Sequence, residues 1–310
     1  MVDVFLPLAL AFIMFSLGLA LHLADFRQVL REPAHLLLGL CGQLLLVPLI
    51  ALVLILIFQP PAVVALGLMI LAASPGGASS GFLTHLARGH AALSLMLSAI
   101  SSLLALLSFP LLLRWSGDWL AASGGLVVVL PEQLPIGKLL SSVLLVMTLP
   151  ILAGMGLRHF YPRRAAAWER AISRIAGGLF LLIVFGTFFA HRQTISENLL
   201  SVGQLTLLLN LLTMGVGYGL IRLVRGDRRS AIAVAMECGL QNAGLGIYVA
   251  LGVLALPALA VPSVVYALVM NVGALALVGL GIARLAHFHI AHDLAAGRLV
   301  PLLTDFQERT

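Results

Sequence analysis

In the run AMECGLQNAGLG, residues 235–246, a single carboxylate interrupts a stretch otherwise free of charge. The nearest charged residues along the chain are Arg229 and Arg284. A carboxylate held in the middle of a bilayer costs at least ~2.5 kcal/mol on insertion scales, so Glu237 has to be protonated or matched by a cation. No Arg or Lys falls inside an apolar run to serve as that partner, which leaves a proton or a mobile metal ion. The other candidate ligands are oxygen donors, and oxygen favours a hard cation. Gln241 follows Glu237 by one helical turn if the helix resumes at once, and Gln43 is a lone amide in an earlier apolar run. Ser80, Ser94 and Ser98 add hydroxyls, the last two on one face at i, i+4 spacing. Each has a plainer alternative. A serine can bond back to its own helix, which is the expectation for Ser101 and Ser102, and a buried glutamine serves as readily in an interhelical hydrogen bond as in ligation. Cys41 and Cys238, the only cysteines, each sit in an apolar run and leave little scope for a disulfide framework or thiol chemistry.

The elements that carry these groups follow from composition. With 61% apolar residues, 10% charged residues and a mean hydropathy of +1.11, the chain is far outside the range of a water-soluble domain and is expected to be an all-α polytopic membrane protein. At roughly 20 residues per span, helices are expected at about 3–23, 34–57, 61–88, 91–113, 138–157, 169–190, 199–221, 230–256 and 262–286. Nine spans put the termini on opposite sides. With the N-terminus outside, the basic residues, from Arg27 and Arg31 in the first inner loop to Arg298 and Arg309 in a cytoplasmic C-terminal tail, fall inside. Only Arg114, Lys138 and Arg192 of the 18 Lys and Arg fall outside, an asymmetry that one missed span would destroy. The net charge of +6 and pI near 10.1 then reflect membrane topology and give no reason to invoke nucleic acid. The first twenty residues have no basic n-region and no small-residue cleavage site, so they are expected to remain as the first span.

Two of the nine segments are defective as helices. In the third, LAASPGGASSGFLTHLARG, Pro75, Gly76 and Gly77 stop one helix and Ala78, Ser79 and Ser80 start another. In the eighth, Gly239, Gln241 and Asn242 stand at the comparable point. The two segments run in opposite directions across the membrane. Interrupted helices at matching places in oppositely oriented halves point to an inverted-repeat transporter with its site at the midplane. A half-helix C-terminus offers carbonyl oxygens to a cation, and a facing N-terminus offers N–H groups to an anion.

Competing patterns fail on context. Gly77-Ala78-Ser79-Ser80-Gly81 satisfies G-x-S-x-G, the nucleophile elbow of hydrolases, but the strand-to-helix turn and the buried aspartate that chemistry needs are missing, so an enzyme is not expected. Gly215 and Gly219 read as a GxxxG packing surface, because no βαβ unit exists to make a dinucleotide fingerprint of the glycines at 215, 217 and 219. Phe180, Phe185, Phe188 and Phe189 read as lipid-facing or packing residues, not a ligand cage. A passive channel needs a continuous polar stripe along several helices, whereas the polar groups here cluster at two breaks.

The combination of SPGGASSGFLTHLARGHAALSLMLSAISSLLA, ECGLQNAGLG and, near the start, FSLGLALHLADFRQVLREP resembles the bile acid:sodium symporter family over nearly the whole chain. The resemblance implies one transmembrane domain of inverted repeats, about 3–115 and 138–289, followed by the tail 290–310. It further implies a panel and a core, with two broken helices crossing in the core, in the nine-span form. By motif position one Na+ site would use Glu237, Gln241, Gln43 and the backbone carbonyls of Cys238 and Leu240; a second would use Ser80, Ser94, Ser98 and a shared Glu237. The family's asparagine after the serine is Gly81 here, which removes one oxygen ligand from the second site. An anionic substrate, a carboxylate or sulfonate, would lie near Ala78, Ser79, Gly81, Asn242 and Asn271. The implied function is sodium-coupled symport of an organic anion by alternating access, with sodium, the anion and the lipid bilayer as partners and no obligate protein partner evident. The alternative on the same fold is a proton-coupled or uncoupled exporter, as in related arsenite and auxin carriers. Ser74 precedes Pro75 where the arsenite carriers use a cysteine, so that alternative lacks the cysteine's support.

Overall fold

The computed structural model describes residues 2–21, 33–77, 79–122, 135–190 and 192–295. Ala78 lies outside the described residues, as do Arg27, Arg31, Arg298, Arg309 and the tail beyond residue 295. Without water to satisfy backbone groups, an apolar chain in lipid must close its hydrogen bonds within each segment, and the described residues are accordingly helical, with no strand among them. In chain order they form α1 (Val2–Ala20), α2 (Pro33–Phe58), α3 (Ala62–Ala73), α4 (Ser80–Leu86), α5 (Ala91–Ala122), α6 (Ile136–Phe160), α7 (Pro162–Ala190), α8 (Arg192–Leu223), α9 (Arg228–Gly239), α10 (Ala243–Val253) and α11 (Val261–Ala295).

Among the described residues six helices are long and apolar enough to cross a membrane: Pro33–Phe58, Ala91–Ala122, Ile136–Phe160, Pro162–Ala190, Leu200–Leu223 and Pro257–Gly279. Shorter apolar helices, Val4–Ala20, Ala62–Ala73 and Ala243–Val253, fall in the first, third and eighth expected spans. Large apolar side chains such as Leu37, Leu45, Ile57, Leu107, Leu111 and Leu145 lie exposed around the bundle. An apolar exterior of this extent belongs in lipid, and the chain is a multi-pass membrane protein.

Both expected interruptions are present. The first falls between α3 and α4. Ser74, the residue before Pro75, is extended at φ −67°, ψ 145°, the conformation a following proline imposes. The second falls between α9 and α10, where Leu240 leaves the helix at φ −106°, ψ 87° and the Asn242 side chain caps α10 by accepting from Leu245 N at 3.1 Å. The two breaks satisfy each other's backbone. Gly77 N donates to Leu240 O at 2.5 Å and Asn242 N to Pro75 O at 2.8 Å, an isolated antiparallel bridge between Gly76 and Gln241. Such approach needs glycine: a Cβ on Gly77 would stand 3.1 Å from the carbonyl oxygens of both Leu240 and Gln241.

Around this junction α8 packs on α9 and α11, and α5 on α3, α4 and α9, while α1 packs mainly on α6 and α7. The α1–α6 contact runs through Gly18 and Gly154, whose missing side chains admit the partner's backbone at Ile151 O and Phe15 O. The expected packing surface at Gly215 and Gly219 does not form. Nothing lies within 4 Å of a Cβ at either, and Gly217 is the contact instead, its Cβ position 2.9 Å from Val234 O on α9. The neighbouring glycines lie on other sides of α8, away from α9. Phe185 and Phe189 are exposed, and Phe180 and Phe188 pack on the core.

Candidate functional site

Glu237 is fully buried on the last turn of α9, and its two carboxylate oxygens have different surroundings. Oε2 accepts from Ser98 Oγ at 2.8 Å and Ser80 Oγ at 2.9 Å. Ser94 Oγ donates to Ser80 Oγ at 3.2 Å, and Ser80 and Ser98 lie 2.9 Å apart. Ser98 on α5 and Ser80, the first residue of α4, thus meet on one oxygen, with Ser94 bonded to Ser80 behind it. Oε1 is buried with no hydrogen-bond partner and lies against Gly76, in the place a side chain would take: a Cβ there would overlap Oε1.

A second cluster adjoins the first. Gln43 Nε2 donates to Gln241 Oε1 at 2.8 Å and to Ser74 O at 3.1 Å. Gln241 Nε2 donates to Cys238 O at 2.8 Å and to Gln43 Oε1 at 3.3 Å. Gln43 reaches the breaks from a π turn over Gly42–Leu46, just ahead of Pro48, where a proline without an N–H disturbs the regular ladder. The interhelical hydrogen bond expected as the glutamines' plainer role does form. Half a turn of either amide exchanges its oxygen and nitrogen, so the same pair can present two oxygens beside the Cys238 carbonyl. The Leu240 carbonyl accepts from Gly77 N.

Two expectations need correction, the register of Gln241 and the back-bond of Ser102, and the remaining site residues are placed as follows. The helix does not resume at once after Glu237; it stops at Gly239, and Gln241 lies in the break instead of one turn along the same face. Ser101 bonds back to Ser98 O at 3.2 Å, but Ser102 Oγ is buried and makes no such bond. Asn271 turns its amide onto its own helix, to Ala267 O at 2.8 Å, and no hydrogen bond among the described residues joins it to Asn242. Asn242 is buried in the second break, its Nδ2 3.6 Å from Met14 Sδ on α1. Ser79 is half-buried at the entry to α4. Gly81 faces α5, where a Cβ would stand 2.5 Å from Leu95 Cδ2.

Two residues were missed. Asn210 on α8 and Tyr266 on α11, both fully buried, donate to the Gly239 carbonyl at 2.7 and 2.8 Å. Asn210 is a lone amide in TLLLNLLTM, the same signal that singled out Gln43, and a consistent search for polar atoms in apolar runs finds it.

The junction therefore brings together one buried carboxylate with a free oxygen, three hydroxyls, two amides and several helix-end carbonyls: an oxygen-rich site suited to a hard cation. Comparison with known proteins gives the family. Residues 7–198 match the sodium bile acid symporter family. The chain is 32% identical over 272 residues to an uncharacterized sodium-dependent transporter of Bacillus subtilis, covering 86% of this chain and 79% of that one. It is 29% identical over 274 residues to a probable chloroplastic sodium/metabolite cotransporter of Oryza sativa subsp. japonica, covering 86% of this chain but 61% of the plant protein. It is 29% identical over 243 residues to the ileal sodium/bile acid cotransporter of Cricetulus griseus, covering 77% of this chain and 67% of that one. The chain belongs to the sodium bile acid symporter family, whose members are sodium-coupled membrane transporters and not enzymes.

Proposed function

We propose that the chain couples sodium to the movement of a small organic anion, a carboxylate or sulfonate, by alternating access. The observation that carries this is the Glu237 carboxylate, fully buried with one oxygen lacking any hydrogen-bond partner. A buried charge left unmatched is expensive, and a sodium ion beside Oε1 supplies the missing partner. Glu237, Gln241, Gln43 and the carbonyls of Cys238 and Leu240 hold this ion, the amides turning to offer oxygen. Ser80, Ser94 and Ser98 form the weaker second position, since Gly81 contributes no ligand and Leu95 lies on that side.

The anion binds at the N-terminal ends of α4 and α10, near Ala78, Ser79, Gly81 and Asn242, with Asn271 from the neighbouring helix. Nine spans with the N-terminus outside, built as two inverted repeats, set a panel of α1, α6 and α7 against a core of the remaining helices. Sodium orders the ends of the broken helices, which preorganises the anion pocket, and core and panel then move past one another. Cation and anion favour each other's binding reciprocally.

A thermal-shift screen of the purified protein against small organic anions, with and without sodium, finds the substrate. Uptake of that anion by proteoliposomes then tests the coupling. Uptake in sodium buffer and not in choline is expected; equal uptake in both rejects sodium coupling, and uptake that follows an imposed pH gradient instead assigns the role to a proton.

A further inference from the structure

We propose that Asn210 and Tyr266 are positioning residues which set sodium affinity by clamping the Gly239 carbonyl on the side of the break turned away from Glu237. The inference rests on the sodium site proposed above and adds to it two residues that touch no ion.

A helix leaves its last carbonyls without intrahelical partners, and around the end of α9 those of Met236, Cys238, Gly239 and Leu240 are held in different ways. Met236 O accepts from Leu240 N at 2.9 Å, Cys238 O from the Gln241 amide at 2.8 Å and Leu240 O from Gly77 N at 2.5 Å. Of these four, Gly239 O is the one that, among the described residues, is held by side chains of two other helices, Asn210 Nδ2 at 2.7 Å and Tyr266 Oη at 2.8 Å. Two donors occupy both lone pairs of that oxygen, which removes it as a ligand. They also fix a rigid peptide plane flanked on either side by the Cys238 and Leu240 carbonyls. The orientation of those two carbonyls toward the site is set from behind.

The surroundings leave the clamp little freedom. A Cβ on Gly239 would strike the Met214 side chain, with Sδ 2.9 Å away, and a Cβ on Gly273 would overlap Asn210 Oδ1. Glycine at both places lets α8, α9 and α11 close on one carbonyl. Asn210 and Tyr266 also lie 3.3 Å apart, amide to hydroxyl, so each orients the other.

The test needs sodium alone. Thermal unfolding of the purified full-length protein is followed while sodium replaces potassium at constant ionic strength, and the midpoint of the sodium-dependent shift is read for each protein. Tyr266→Phe removes one donor and little volume; its midpoint is expected to rise about fivefold, the equivalent of one neutral hydrogen bond. Asn210→Ala, an independent second variant, is expected to shift it in the same direction. Thr206→Val controls for losing a buried hydroxyl on α8, because Thr206 bonds only its own helix at Val202 O and Gly203 O; its midpoint is expected to stay at the wild-type value. A Tyr266→Phe protein that melts lower yet titrates with the wild-type midpoint overturns the clamp and leaves the sodium site standing. A wild-type protein that shows no sodium-specific shift overturns the sodium site itself, and the clamp's role with it.

Discussion

Gly76 stands directly against the free carboxylate oxygen of Glu237, so close that a single methyl group on Gly76 would overlap Oε1. The first break is thus shaped around the acid of the second. Gly76→Ala should push the free oxygen of Glu237 out of position and raise the sodium concentration for half-maximal uptake by about tenfold or more, the equivalent of ~1.4 kcal/mol or greater. Uptake measured against sodium concentration checks this; an unchanged midpoint would place the ion elsewhere.

Glu237→Gln keeps the size of the side chain and an oxygen for Ser80 and Ser98 to donate to, but removes the charge. Removing a buried unpaired charge relieves a desolvation penalty, so the variant should melt no lower than wild type in sodium-free buffer. It should also lose the sodium-dependent rise in melting temperature. Glu237→Ala should lose that rise too and melt lower, because it leaves a cavity and takes away the acceptor that Ser80 and Ser98 share.

Much of this was legible in the sequence. Pro75-Gly76-Gly77 and the acid in AMECGLQNAGLG announced two breaks and a buried carboxylate beside one of them, because proline, glycine and charge carry their meaning locally in an apolar run. The division of labour within Glu237 was not legible, since which oxygen meets Ser80 and Ser98 and which faces Gly76 depends on how α4, α5 and α9 converge. The glycine spacing of α8 misled for the same reason: the motif Gly215-x-Gly217-x-Gly219 does not say which side meets α9. Asn210 and Tyr266 act on a backbone atom of another helix, a relation no local pattern records.

Those glycines provide a stability test. Gly215→Ala and Gly219→Ala meet open space and should be neutral or stabilising by up to ~1 kcal/mol, as alanine restricts the unfolded chain more than glycine does. Gly217→Ala should lower the melting temperature, since its methyl group would stand 2.9 Å from Val234 O and 3.2 Å from Ala235 Cα. Equal behaviour of the three would contradict the α8–α9 packing.

Supplying an oxygen ligand at residue 81 is not a simple substitution here. Gly81→Asn brings its Cβ onto the Leu95 side chain, with Cγ 2.8 Å and Cδ2 2.5 Å away, and by itself should destabilise the protein. Combined with Leu95→Ala it should fit and steepen the dependence of uptake on sodium, a non-additive pair of the kind neighbouring residues show. A double variant no steeper than wild type would mean that the serine cluster serves only to hold Glu237.

The most direct test of the central claim is equilibrium binding of radiolabelled sodium to the purified protein, wild type beside Glu237→Gln, with no organic anion present. Saturable binding to the wild type that disappears in the variant is the predicted result. Equal binding to both, or none to either, contradicts a sodium ion held at Glu237.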